Sequence, residues 1–187
     1  KLQAEREMQK QMEEQNVPSF SLNPIKSQTK VQSQTKPYSW FNTKGNNLKN
    51  QWIHWDDGVN YDAIGTGAAA DFHVAARFLP SDIADYSGYA ITKVQFFPAQ
   101  AAATYTIKVW QGTNPPVEVY SQLVASPTIS QMNIVDLTTP VEFDASQELW
   151  VGYNVNATTG YPAGCDAGPQ VAGKGNMIYW SGVWQEL

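Results

Sequence analysis

The chain has 187 residues and a formal net charge of −5 that is unevenly divided: residues 1–50 hold eight Lys/Arg against four Glu, net +4, and residues 51–187 hold four against thirteen Asp/Glu, net −9. That length fits one domain with an extension, because a single core occupies about 100–200 residues. The acidic part repels phosphate backbones, which argues against nucleic acid as a partner, and a lone cysteine, Cys165, excludes an intrachain disulfide framework and a thiolate zinc site.

In chain order, residues 1–16 (KLQAEREMQKQMEEQN) are strong helix formers, with Ala4, Met8 and Met12 spaced four apart on one face. They predict a short helix or, because the stripe is thin and the length marginal in water, a solvated, disordered arm. Residues 17–50 turn to Gln, Ser, Thr, Lys, Asn and Pro, with SQTK at 27–30 and again at 33–36, the chemistry of a polar linker from which Trp40 and Phe41 would dock on the domain. The arm has no basic run of the kind that holds a membrane surface, and no stretch of about 18 apolar residues predicts a transmembrane segment. No charged-then-apolar leader precedes Lys1, so no retained signal peptide is expected, and a start at Lys rather than Met predicts processing or truncation.

From residue 51 the pattern changes to short runs of period-2 alternation bounded by Gly, Pro, Asn or Asp. In DFHVAARF, Phe72, Val74, Ala76 and Phe78 share one face, and Asp71, His73 and Arg77 the other. TYTIKVW directs Tyr105, Ile107 and Val109 inward, and LWVGYNV does so for Leu149, Val151, Tyr153 and Val155. Trp110 and Trp150 then point outward. Further strands are expected at 52–55, 91–97, 117–124, 133–137, 141–144, 177–180 and 183–185, with a helix-like turn opening on Pro80-Ser81-Asp82-Ile83. These add up to about ten strands in residues 51–187, an all-β, jelly-roll-like β-sandwich. The Gly-rich stretches 57–70 and 156–176 read as long loops, where function often lies.

Catalytic constellations are sparse. Two histidines, no G-x-S-x-G elbow and a cysteine in GCDAG without a protease context supply no nucleophile and base, and none of the thirteen acids stands where a glycosidase pair would be singled out. The pairs His54/Asp56 and Asp71/His73 each lie two apart, so on strands each shares a face, suited to a hydrogen bond or, less simply, to a metal-dependent enzyme. Asp56, Asp57 and Asp62, with Gly58 and Asn60 between, offer hard oxygen ligands for a structural calcium, or merely form turns, since D-D-G-x-N-x-D is not the EF-hand order. No other cofactor is expected: GTG at 65–67 and GKGN at 173–176 form no phosphate cradle.

The excess that calls for a partner is tryptophan, six of them in 51–187. Flat rings with a polar edge suit stacking on sugars or anchoring a protein, so Trp110, Trp150, Trp180 and Trp184 are the candidate ligand-binding residues, unless a second layer covers them. The segments WDDGVNYDAIGTG, DFHVAARF, ITKVQFFP, TYTIKVWQG, ELWVGYNV and GYPAGCDAGPQVAGKGNMIYW resemble a β-sandwich domain of secreted Bacteroidetes-type proteins, similar to the adhesin and haemagglutinin regions of gingipain-type proteins. The resemblance covers residues 51–187 and implies a secreted or cell-surface bacterial module for adhesion, without implying any site residue. The expected function is non-catalytic recognition of a glycan or protein surface. The alternative is a structural accessory domain packed on neighbouring domains of a larger secreted hydrolase or peptidase, and the ending WQEL, directly after an apparent strand, fits such a fragment.

Overall fold

The computed structural model describes residues 52–187 apart from Asn114, together with two short strands of the arm, β1 (Ser21–Leu22) and β2 (Tyr38–Ser39). The helix expected at 1–16 and the rest of the linker lie outside the described residues. The domain strands are β3 (Ile53–His54), β4 (Asp62–Gly65), β5 (Ala70–Phe78), β6 (Ala90–Phe96), β7 (Ala103–Gln111), β8 (Val117–Leu123), β9 (Asn133–Glu142), β10 (Leu149–Ala157), β11 (Ala163–Cys165), β12 (Met177–Trp180) and β13 (Val183–Glu186).

Six of them form one antiparallel sheet in the order β13-β12-β5-β10-β7-β8. Against its inner face lie the pair β6-β9 and the small sheet β1-β4-β11, while β2 pairs with β3. Consecutive strands such as β5, β6 and β7 alternate between layers, so the chain closes an all-β sandwich by crossing from sheet to sheet. No helix among the described residues is long and apolar enough to cross a membrane.

The ladder register explains the core. Val155 sits between Tyr105 and Phe72, Tyr153 between Ile107 and Val74, and Val151 between Val109 and Ala76, so three strands present the same face in matched rows. Tyr105, Ile107, Val109 and Val155 are wholly buried, joined from the opposite layer by Val94, Phe96, Leu137, Val141, Ile64 and Ala163. Tyr105 satisfies its hydroxyl by donating to Gln100 O at 2.6 Å, with Pro162 O 3.1 Å away.

Two expectations need revision. Residues 133–137 and 141–144 belong to one strand, β9, in which Pro140 falls beside a register shift opposite Ile91/Lys93, a place where the ladder needs no N–H from it. The supposed loops at 57–70 and 156–176 contain β4 and β11, paired Ile64 to Ala163 and Asp62 to Cys165. The helix-like turn is present as α1 (Pro80–Ile83), continued by a 3-10 turn at Ala84–Tyr86. Asp82 accepts from Leu79 N at 2.8 Å and from Lys174 Nζ at 2.9 Å, fixing the start of α1 to the segment that leads into β12.

Candidate functional site

The register that buries one set of side chains places another on the outer face of the six-stranded sheet. Its rows run Arg77–Trp150–Trp110–Glu118, then Met177–Ala75–Gly152–Lys108–Ser121, then Tyr179–His73–Asn154–Thr106–Leu123, and finally Asp71–Asn156–Thr104. The first two rows make a tryptophan-packed sector and the last two a polar one.

Trp110 and Trp150 do point outward, yet they are only 4% and 3% exposed, so they are not the surface platforms expected of them. Small residues make room for their cover. Ala75 and Gly152 leave a hollow in the second row, and a Cβ on Gly152 would stand 1.9 Å from Val74 O, so no larger residue fits there. Trp184 reaches across from β13 with ring centroids 4.9 Å from Trp150 and 5.1 Å from Trp110, and Met177 packs beside them. Arg77 closes the end of the row. Its guanidinium lies 5.2 Å from the Trp150 ring and donates to both oxygens of buried Glu148, at 2.9 and 2.6 Å, while Trp150 Nε1 donates to Glu148 Oε2 at 3.2 Å.

Trp180 is not on this face. Alternation along β12 turns it to the inner side, edge-on to Phe72 at 6.3 Å and packed against the main core. Of the four candidate tryptophans, Trp184 alone remains half-exposed on the outer face, where it adjoins Tyr179 at 5.4 Å and His73 at 6.2 Å. Tyr179 stacks on His73 at 5.2 Å and 23°. These rings, with Trp110, Pro115, Pro116 and Glu118, line a cleft of about 210 Å³.

Beside the cleft runs a polar strip. Asn154 Nδ2 donates to Asp71 Oδ1 at 2.6 Å, with His73 Nδ1 3.1 Å away, and Asn156 Nδ2 donates to Asp71 Oδ2 at 3.2 Å. The Asp71/His73 pair is therefore bridged by an amide rather than in direct contact. On the other side Lys108 Nζ donates to Glu118 Oε2 at 2.7 Å. Burial and the Lys108 ammonium hold His73 below the ordinary histidine value, so it is neutral at pH 7.

The remaining candidates lie elsewhere. His54 is on β3, where its Nδ1 donates to Asp56 O at 2.8 Å and stands 3.4 Å from Asp56 Oδ1. Burial disfavours its imidazolium, but the bond to Asp56 and the carboxylate charge outweigh that and raise its pKa. His54 borders a cavity of about 930 Å³ at the inner face, whereas His73 belongs to the outer cleft, so the two His/Asp pairs do not converge. That large cavity is walled in part by β3 and β4, the strands that pair with β2 and β1 of the arm.

Asp56 and Asp57 each bend a turn, accepting from the backbone N–H of Gly58 and Val59 at 2.8 and 2.9 Å, while Asp62, at the start of β4, accepts from Ala63 N at 2.8 Å. Among the described residues, no three His, Cys, Asp or Glu side chains are gathered as metal ligands. Cys165 is half-buried on β11, and burial together with the Asp62 and Asp166 charges pushes its thiol up to about 11, the reverse of activation.

Sequence reasoning missed Tyr179 and the strip Asp71–Asn154–Asn156 as one site. Alternation along β10 signals that Asn154 and Asn156 share the Trp150 face, but only pairing with β5 brings Asp71 between them. Comparison with protein-family models, curated proteins and solved structures finds no match for this chain.

Proposed function

We propose that this domain is a non-catalytic binding module, working at a cell surface or outside the cell, that recognises a glycan or protein through the outer face of its six-stranded sheet. The observation that carries this reading is the half-exposed sector where Tyr179, Trp184 and His73 adjoin Asp71, Asn154 and Asn156 on a rigid antiparallel ladder. Aromatic faces beside fixed polar groups suit recognition, and strands hold them without reorganisation. The Cys165 thiol, held protonated, argues against its use as a nucleophile. The test is a binding screen of the whole chain on glycan microarrays and immobilised surface proteins, in parallel with the double variant Asn156→Ala/Tyr179→Ala. Capture by at least one surface, lost in the variant, is the expected result; capture that the variant keeps, or no capture at all, overturns the reading.

The accessory-domain alternative has support of its own in β8. It is an edge strand whose Val117 and Leu123 are 68% and 63% exposed, and apolar edges of this kind invite cover. Protection of the β8 amides from deuterium exchange in a longer chain, compared with the domain alone, is the expected signature of a docked neighbour.

A further inference from the structure

Resting on the binding-face reading, we infer that the ligand is a neutral sugar, one ring of which enters the cleft beside Tyr179 and Trp184 while its hydroxyls meet the Asp71–Asn154–Asn156 strip. Charge decides against the ionic alternatives. An aromatic cleft with a carboxylate at its edge suits a quaternary ammonium in principle, but Glu118 is already engaged by Lys108 at 2.7 Å, and an incoming cation would stand beside that ammonium. An acidic ligand would meet Asp71, which is bonded by the neutral amides of Asn154 and Asn156 and, among the described residues, by no cation. Neutral His73 adds no charge of its own.

What remains is a neutral surface of three kinds of group. Tyr179, His73 and Trp184 provide π faces for the C–H side of a sugar ring. Asp71 accepts hydrogen bonds, and among the described residues the Oδ1 atoms of Asn154 and Asn156 take no hydrogen bond, so each is an acceptor for a hydroxyl. Their amides are held by Asp71, which orients them before any ligand arrives. Pro115 and Pro116 line the cleft, and its volume of about 210 Å³ suits a single ring.

Intrinsic tryptophan fluorescence of the whole chain, titrated with neutral mono- and oligosaccharides, sialylated and sulfated glycans, tetramethylammonium chloride and a proline-rich peptide, tests this. The expected result is saturable binding of at least one neutral sugar, weakened about tenfold or more by Asn156→Ala and by Tyr179→Ala, with Asp136→Ala on the opposite layer unchanged. A tenfold loss corresponds to about 1.4 kcal/mol, the size of one or two hydrogen bonds. Circular dichroism and melting of each variant separate lost binding from lost fold. Face-dependent binding of the acidic glycans, the ammonium or the peptide in place of neutral sugars overturns the inference while leaving the binding module standing. Neutral-sugar binding that neither variant weakens overturns the site, and absence of any face-dependent binding overturns the inference, while the surface-protein screen decides the binding module itself.

Discussion

The two faces of the six-stranded sheet are written by the same strands, yet they come to different ends. On the inner face the rows Phe72–Val155–Tyr105 and Val74–Tyr153–Ile107 are apolar throughout, and the opposite layer packs against them beside the large cavity. On the outer face one sector is sealed by its own side chains, Trp184 and Met177 over Trp110, Trp150 and Ala75, and the next is left polar. Outward direction and exposure are thus separate properties. A sheet face opposite the core acquires a second, smaller core where small residues such as Ala75 and Gly152 make room for large rings, and it stays open in the neighbouring rows, where Asn and Asp stand.

That contrast can be broken at several points. Trp150→Ala is expected to cost about 4 kcal/mol, as much as a core truncation, with Ile107→Ala at about 3 kcal/mol for comparison, both read from urea denaturation midpoints. A cost below about 1 kcal/mol for Trp150→Ala would show that the outer cluster is not a core. Glu148→Ala is expected to cost about 3 kcal/mol, because it strips the partner from Arg77 and from Trp150 Nε1 together. Adding Arg77→Met should recover a good part of that loss, and a double-mutant cycle measures how much.

Asn156→Ala, in the open sector, is expected to move stability by no more than about 0.5 kcal/mol while abolishing most ligand binding. The smallest effect is in titration. His73 should titrate below 6.5 and His54 above it by NMR. A depressed value means the folded state holds fewer protons, so the His73 contribution is full above pH 6.5 and declines as pH falls below it. The His54 contribution has the opposite sign, full below pH 6.5 and lost as pH rises through its raised folded value. A His73 midpoint above 6.5 would remove the case for a neutral cleft.

The inner face was legible because period-2 alternation acts on neighbours in sequence: Phe72 to Phe78, Tyr105 to Val109 and Leu149 to Val155 all face as the pattern predicts. Even the outward turn of Trp110 and Trp150 could be read. Their burial could not, since the cover comes from Trp184 and Met177 on the last two strands, and no local pattern reports a partner so distant. The short strands β4 and β11 escaped for a related reason. Asp62–Gly65 and Ala163–Cys165 have little strand propensity and exist because each pairs with the other. The joined strand β9 escaped because Pro140 reads as a break unless the register shift opposite it is known.

The arrangement of the outer cluster also has a kinetic side. Asn154 bonds Asp71 across 83 residues, Glu148 bonds Arg77 across 71, and Arg77 reaches Gly173 across 96, so completing the face requires distant pairings. Chains dominated by such distant pairings fold in about milliseconds to seconds rather than microseconds. Until β12 and β13 have docked, Trp110 and Trp150 lie open on a half-built sheet. Stopped-flow refolding followed by tryptophan fluorescence should then show the outer indoles as the last to lose contact with water.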